Sequence, residues 1–418
     1  MNNSDHKTIY KFADHLFRES HGKMIALLSV KFGYQQIDNI VDAVQEAFEV
    51  ALKEWKYKGI PNNSFAWLIQ VSKNKLINKI KRDAVGNQII LQFHTEDLQL
   101  DPDEAEDSLI RLLVYFSKIN LSDRNKLIIA LFYLCGFGYV EISHALMLSI
   151  EAIKKIIDRS KSLIKDFAVQ YEDYDLKVLQ NEMPYLLHVL YLMFNEGFKS
   201  SRKNGSIHHD LCFESIRLAI LLKNYQQESC ELNAIIALFF FHVARFPARM
   251  HNDIWISMEH QDRTLWDKNL IAEGFAYLNR IDLKKNKLNK YYLEALIASV
   301  HLSAVNYKKT NWQLLSKLYT QLTLLEPTIA VQINKIIVES NYLPIAGLIE
   351  KINNFEPDLN EFLKFPFYTT LAHLYEKNKM NQLASTYYLR ALLHTKNHFD
   401  RDYIQQKIAQ IGQSQSII

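Results

Sequence analysis

The sequence predicts an all-α protein, and three observations carry that prediction. Only 11 glycines and 8 prolines punctuate 418 residues, far fewer than a hairpin-rich sandwich, a doubly wound sheet or a glycine-looped nucleotide binder uses in its turns. Apolar residues recur at helical spacing, as at Phe213, Ile216 and Ile220 (i, i+3, i+7). With 48% apolar and 23% charged residues, the chain has the composition of a folded protein with sizeable cores. At about 150 residues per domain, two or three domains are expected.

The first informative element is a helix over Asn63 to Arg82, with Asn63 as N-cap. On a 3.6-residue period Phe65, Ile69, Leu76 and Ile80 form an apolar face, opposite Trp67, Val71, Asn74, Asn78 and Lys81. An aromatic, two amides and the cations Lys73, Lys75, Lys79, Lys81 and Arg82 offer unpaired bases a stacking platform, hydrogen-bonding groups and phosphate neutralisation. A solvated Lys-rich helix with a buried tryptophan is the competing reading.

From Glu96 to Asp107 the chain reads EDLQLDPDEAED, seven acids with no Lys or Arg, which predicts a flexible linker. A helix-turn-helix follows: Tyr139 to Leu146, a tight connection at Met147 and Leu148, then a second helix capped by Ser149. Ile150, Ile153, Ile157 and Ile164 line one strip of that second helix, Lys155 and Arg159 face away, and Lys154 and Lys161 flank them. Such a face suits a major groove and its phosphates. An ordinary helical hairpin with a basic exterior is the alternative.

A further boundary is expected at Tyr171 to Asp175, after which everything reads as helix. Gly205, Pro247, Pro327, Pro344, Pro357 and Pro366 stand where helices should break. Near the C-terminus Leu371, Ala372, Tyr375, Ala384, Tyr388 and Ala391 fit the small and aromatic positions of a tetratricopeptide-like unit over about 365–398. His208, His209 and Asp210 are clustered, but Asp210 stands where it would cap the next helix, so a helix start is favoured over a metal site.

The net charge of +3, from 49 Lys and Arg against 46 Asp and Glu, leaves nucleic-acid affinity to local patches. Phosphate-cradling glycine loops, HExxH and GxSxG are all missing, so an enzyme is disfavoured, and neither cofactor nor metal is expected. Cys135, Cys212 and Cys230 are too scattered for a disulfide framework or a metal site and fit a reducing cytoplasm. The first residues lack an apolar signal-peptide core, and the longest apolar run, Ala234 to Phe241, is too short to span a bilayer. A soluble, cytoplasmic protein without membrane contact is expected.

In order, these elements resemble an extracytoplasmic-function (ECF) sigma factor, a class of bacterial RNA polymerase initiation factors. Asp42, Gln45, Glu46, Phe48 and Ala51 resemble the segment that docks on the polymerase clamp helices. Ala66, Trp67, Leu68 and Asn74 resemble the helix that melts and reads the −10 element, and KGIPNN (Lys58 to Asn63) stands where the family captures a flipped base. Glu141, Ile142, Leu146, Ser149, Ile153, Lys154 and Arg159 fit the −35 helix-turn-helix. The chain departs at Asn78, where the family often has Asp, and at Ile156, where it often has Arg. LYLMFNEGFKSS (Leu190 to Ser201), DLCFESIRLAILL (Asp210 to Leu222) and EHQDRTLWDKNLIAEG (Glu259 to Gly274) resemble the subgroup with a long helical-repeat extension.

The resemblance implies a sigma region 2 over 8–85, an acidic linker over 86–107, a region 4 over 108–168 and a regulatory extension over 172–412. It implies that Asp42, Gln45, Glu46 and Phe48 bind core polymerase. Asn62, Asn63, Trp67, Lys73, Asn74, Asn78, Lys81 and Arg82 would contact −10 DNA, and Ser149, Glu151, Lys154, Lys155, Arg159 and Lys161 the −35 element. Partners would be core RNA polymerase, promoter DNA and an effector of the extension. Gln261, Asp262, Arg263 and Trp266 read either as an internal polar network, which is favoured, or as a ligand site. A repeat scaffold, or a plain helix-turn-helix regulator acting without polymerase, is the alternative function.

Overall fold

The computed structural model describes residues 3–87, 102–167, 176–199, 207–226, 229–251, 254–284 and 287–415. Among them the all-α expectation holds: helices throughout, apart from the two-residue antiparallel pair Met250–His251 and Ile254–Trp255. Two compact units divide the chain: Met1–Gly197 with His209–Ser215, and Phe198–His208 with Ile216–Ile418.

Unit 1 is built on α1 (Asn3–Phe32), α2 (Ile37–Lys58) and α3 (Ser64–Asn87), then α4 (Pro102–Lys118), α5 (Asp123–Tyr133), α6 (Tyr139–Leu146), α7 (Ile150–Asp166) and α8 (Leu176–Phe198). Met24, Ile25 and Leu28 of α1, Ile40, Val44 and Ala47 of α2, and Leu68 and Leu76 of α3 are buried, as an apolar stripe at 3.6-residue spacing requires. Gly22 permits close packing, because a Cβ there would overlap the Leu134 carbonyl. At Gly136, φ is +63°, a conformation that glycine adopts without steric penalty.

The acidic segment differs from the expected linker. Helix α3 runs to Asn87 and α4 begins at Pro102, while residues 88–101 lie outside the described residues. Proline at the first helical position forfeits no hydrogen bond, so Pro102 can open a helix within the acidic segment. The boundary expected at Tyr171 to Asp175 also lies outside the described residues, but α8 beyond it belongs mostly to unit 1. There the Tyr185 hydroxyl donates to the Lys126 carbonyl at 3.1 Å.

Unit 2 takes α9 (His209–Tyr225) from Ile216 onward, then α10 (Cys230–Val243), α11 (Phe246–Arg249), α12 (Lys268–Leu278) and α13 (Lys290–Ser303). It continues through α14 (Trp312–Leu325), α15 (Ile329–Glu339), α16 (Ile345–Asn353), α17 (Glu361–Lys377), α18 (Asn381–Leu392) and α19 (His398–Gln415). Helix α10 is buried nearly all round, and a Cβ on Gly274 would lie 2.5 Å from the Phe241 ring. Only glycine lets α12 approach that ring.

Helix α9 forms as its spacing predicts, but the residues that show the spacing do not share one buried face. Phe213 and Ile220 are exposed, while Ile216, Leu218, Ala219 and Leu222 are buried, because several phases of an apolar-rich helix satisfy a three-residue spacing. Asp210 is not the N-cap: that position is His208, and Asp210 sits in the first turn. Pro366 lies inside α17 rather than ending it; burial of Phe367, Tyr368 and Leu371 outweighs the lost backbone bond. Gly205 lies outside the described residues. The pair α17 and α18 packs through Ala372, Ala384, Tyr388 and Ala391, all fully buried, with the Tyr388 hydroxyl donating to Glu376 at 2.7 Å.

Candidate nucleic-acid interface

Helix α3 starts as its sequence demands: Asn63 Oδ1 accepts from the Ala66 N–H at 2.9 Å, and the Ser64 hydroxyl donates to the Pro61 carbonyl. This fixes the turn carrying Asn62 and Asn63, both exposed. Trp67 is half-buried, its ring 5.4 Å from that of buried Trp55. Asn74, Asn78, Lys81 and Arg82 continue outward along the same side and are exposed. Tyr57, 86% exposed at the end of α2, stands in the same sequence neighbourhood and was not singled out from the sequence. Its only local signal is its position between Trp55 and the KGIPNN turn.

Two expected contact residues are internal. Lys73 is only 7% exposed, because it shares the strip of Ile69, Leu76 and Ile80 on the packed side of α3. Phe48 is 6% exposed, with its ring 5.0 Å from Phe17, so it supports α2 from within rather than meeting a partner. Phe65 is half-buried, whereas Leu68 and Ser72 complete the packed face.

The acids read as a docking surface already have partners on α3. Lys79 Nζ lies 3.1 Å from Asp42 and 3.0 Å from Glu46, and Lys75 lies 3.3 Å from Glu46. The Lys79 ammonium, and Lys75 after it, hold the Glu46 carboxyl below its ordinary pKa. Asp42 and Gln45 nonetheless remain exposed.

The helix-turn-helix is built from local caps. Glu141 Oε2 accepts from the Gly138 N–H at the start of α6, Met147 takes the left-handed conformation at φ +52°, and Ser149 Oγ accepts from the Ala152 N–H at 3.3 Å. Arg124 of α5 donates to the Leu146 carbonyl, closing the end of α6. Ile153, Ile157 and Ile164 are buried beneath α7. Ser149, Glu151, Lys154, Lys155 and Arg159 are exposed, with Lys154 lying 5.5 Å from the Tyr139 ring centroid. Lys161 is half-buried and paired with Asp158 at 3.4 Å.

Within unit 1 the helix-turn-helix is tied to the start of α2. The Tyr133 hydroxyl donates to Asp38 Oδ1 at 3.2 Å, and Lys165 of α7 lies 3.3 Å from Asp38 Oδ2. Tyr115 stacks on Tyr34 at 4.1 Å and donates to the Ile164 carbonyl at 2.7 Å.

Residues 182–282 match a family of unknown function (DUF6596). The chain is 28% identical over 317 residues to an uncharacterized protein of Rhizobium meliloti (strain 1021), a match covering 73% of this chain and 75% of that relative. No solved structure matches the chain. Among the described residues no helix is long and apolar enough to cross a membrane.

Proposed function

We propose that the protein is a sigma factor of the extracytoplasmic-function type, which directs bacterial core RNA polymerase to promoters and helps to open them, with a regulatory helical-repeat extension. One observation carries the reading. A single unit presents a helix-turn-helix with outward Lys154, Lys155 and Arg159, together with a second helix whose exposed side joins Trp67 to Asn74, Asn78, Lys81 and Arg82. The first suits duplex, where cations meet phosphates along a major groove. The second suits unpaired bases, which stack on aromatic rings, and Tyr57, exposed at the end of α2, offers another such ring. No covalent chemistry is assigned.

In this reading the packing through Asp38 and Tyr115 belongs to a resting form. The −10 and −35 elements lie about 25 base pairs apart, or about 85 Å at about 3.4 Å per pair. A compact unit of about 200 residues has a radius of gyration of about 16 Å, too small to reach both elements. Engagement with polymerase and promoter therefore separates α7 from α2, and the extension sets how readily that happens.

The deciding experiment is transcription in vitro with purified core polymerase, alongside capture of core by the full chain. Promoter-specific transcripts that weaken with Trp67→Ala support the proposal. Duplex binding that is indifferent to core polymerase would instead make the protein a plain regulator, and failure to bind either partner would leave a scaffold. For the extension, a chain cut after Ser215 should transcribe differently from the full chain; unchanged output removes the gating role.

A further inference from the structure

Unit 2 gathers two arginines that, among the described residues, no carboxylate pairs with. Arg245, 8% exposed at the end of α10, donates through Nε to Gln261 Oε1 at 3.2 Å, and Gln261 in turn donates to the Ile256 carbonyl. Arg263 Nη1 donates to the His301 and Ala304 carbonyls, 2.6 Å to each. Both guanidinium groups lie over the indole of Trp266, at 5.9 and 4.6 Å from its centroid, and Trp266 itself is 5% exposed.

Two of the carboxylates nearby in the sequence point elsewhere. Asp262 accepts from the Thr264 N–H and hydroxyl, and Asp267 caps α12 through Asn269 and Leu270. Among the described residues neither Arg245 nor Arg263 has a carboxylate within ion-pair distance. Burial, and after it the charge of Arg263, lowers the Arg245 pKa to about 10. Burial, followed by the two arginines, pushes His301 down to about 4, leaving its ring neutral near pH 7. Arg263 Nη2, Trp266 Nε1, His301 Nδ1 and Thr310 Oγ1 are buried with no hydrogen-bond partner.

Part of this is an internal network, as the sequence favoured: Arg263 closes the end of α13 and Gln261 orients Arg245. Those bonds explain how the groups are held, but not why two cations are gathered without a counter-charge. A buried charge left uncompensated costs several kcal/mol, and each unmet donor costs about 1–3 kcal/mol. A planar guanidinium is complementary to carboxylate and phosphate oxygens.

We propose that Arg245, Arg263 and the Trp266 indole N–H bind a small anionic molecule through a carboxylate or phosphate group. The site lies wholly within unit 2 and does not depend on the reading of unit 1.

Thermal unfolding of the full chain in inorganic phosphate and in succinate, each against chloride at equal ionic strength, tests it. One of the two anions should raise the Tm saturably: a response to phosphate alone assigns a phosphate ligand, and one to succinate alone a carboxylate. Trp266→Phe keeps an aromatic face and loses the donor, so the apparent affinity should fall about tenfold, and Arg245→Met should abolish the response. No saturable rise with either anion, or a rise undiminished in Trp266→Phe, overturns the proposal even if Arg245→Met fails to fold.

Discussion

Asp38 is the point at which the helix-turn-helix is fastened to α2, and Asp38→Ala tests whether that packing holds a closed form. The substitution strips the Tyr133 hydroxyl of its acceptor. Tyr133 is 1% exposed, and a buried donor left unmet costs about 1–3 kcal/mol. The ion pair with Lys165 adds little, since that side chain is 51% exposed and such pairs are worth about 0.5 kcal/mol. A loss of about 2 kcal/mol from the closed form makes the separated form about 30-fold more populated. Amide hydrogen exchange over Ile164 to Phe167 reads this directly, and transcription at limiting core polymerase should rise with it. Tyr133→Phe should give about half the effect, and adding Asp38→Ala to it should cost only the Lys165 share. Unchanged exchange in α7, or full additivity of the two substitutions, would refute the reasoning.

Further expectations concern separate parts of the molecule. Lys155→Ala and Arg159→Ala should each lower the salt slope of duplex binding by about 0.9, measured by titration at several salt concentrations, whereas Lys161→Ala, removing a cation already paired with Asp158, should change it less. Met147→Gly should stabilise unit 1 by about 1 kcal/mol in denaturant titrations, because glycine adopts the left-handed conformation without a Cβ penalty; a loss of stability would count against it. His21, 3% exposed, is pushed by burial from 6.5 to about 4. The unfolded chain therefore takes up its proton first, and stability falls as pH drops from about 6.5 towards 4, by about 2 kcal/mol at pH 5. His21→Phe should flatten that dependence.

What was legible in the sequence is what local chemistry decides. The Ser149 cap, the Met147–Leu148 turn and the Asn63 cap each rest on a few adjacent residues, and the alanines of α17 and α18 announce close packing by their size alone. Lys73 was legible too, since its spacing from Ile69, Leu76 and Ile80 puts it on the packed strip; its charge misdirected the reading. The pairing of Asp42 and Glu46 with Lys79 and Lys75 was not, because the partners come from different helices and no local pattern joins them. The attachment of α8 to unit 1 depends in the same way on a distant contact, Tyr185 with Lys126. The start of α4 at Pro102 was missed because charge density was weighed without the helix start that a proline can mark.

The carboxylates of α2 and the ammonium groups of α3 neutralise one another, so neither set is at full strength while they touch. In the proposed role, a cationic surface that pairs with Asp42 and Glu46 would compete with Lys75 and Lys79 for them, leaving those ammonium groups with more of their charge for phosphate. Under the proposed function, attachment to polymerase and grip on phosphate would then favour one another.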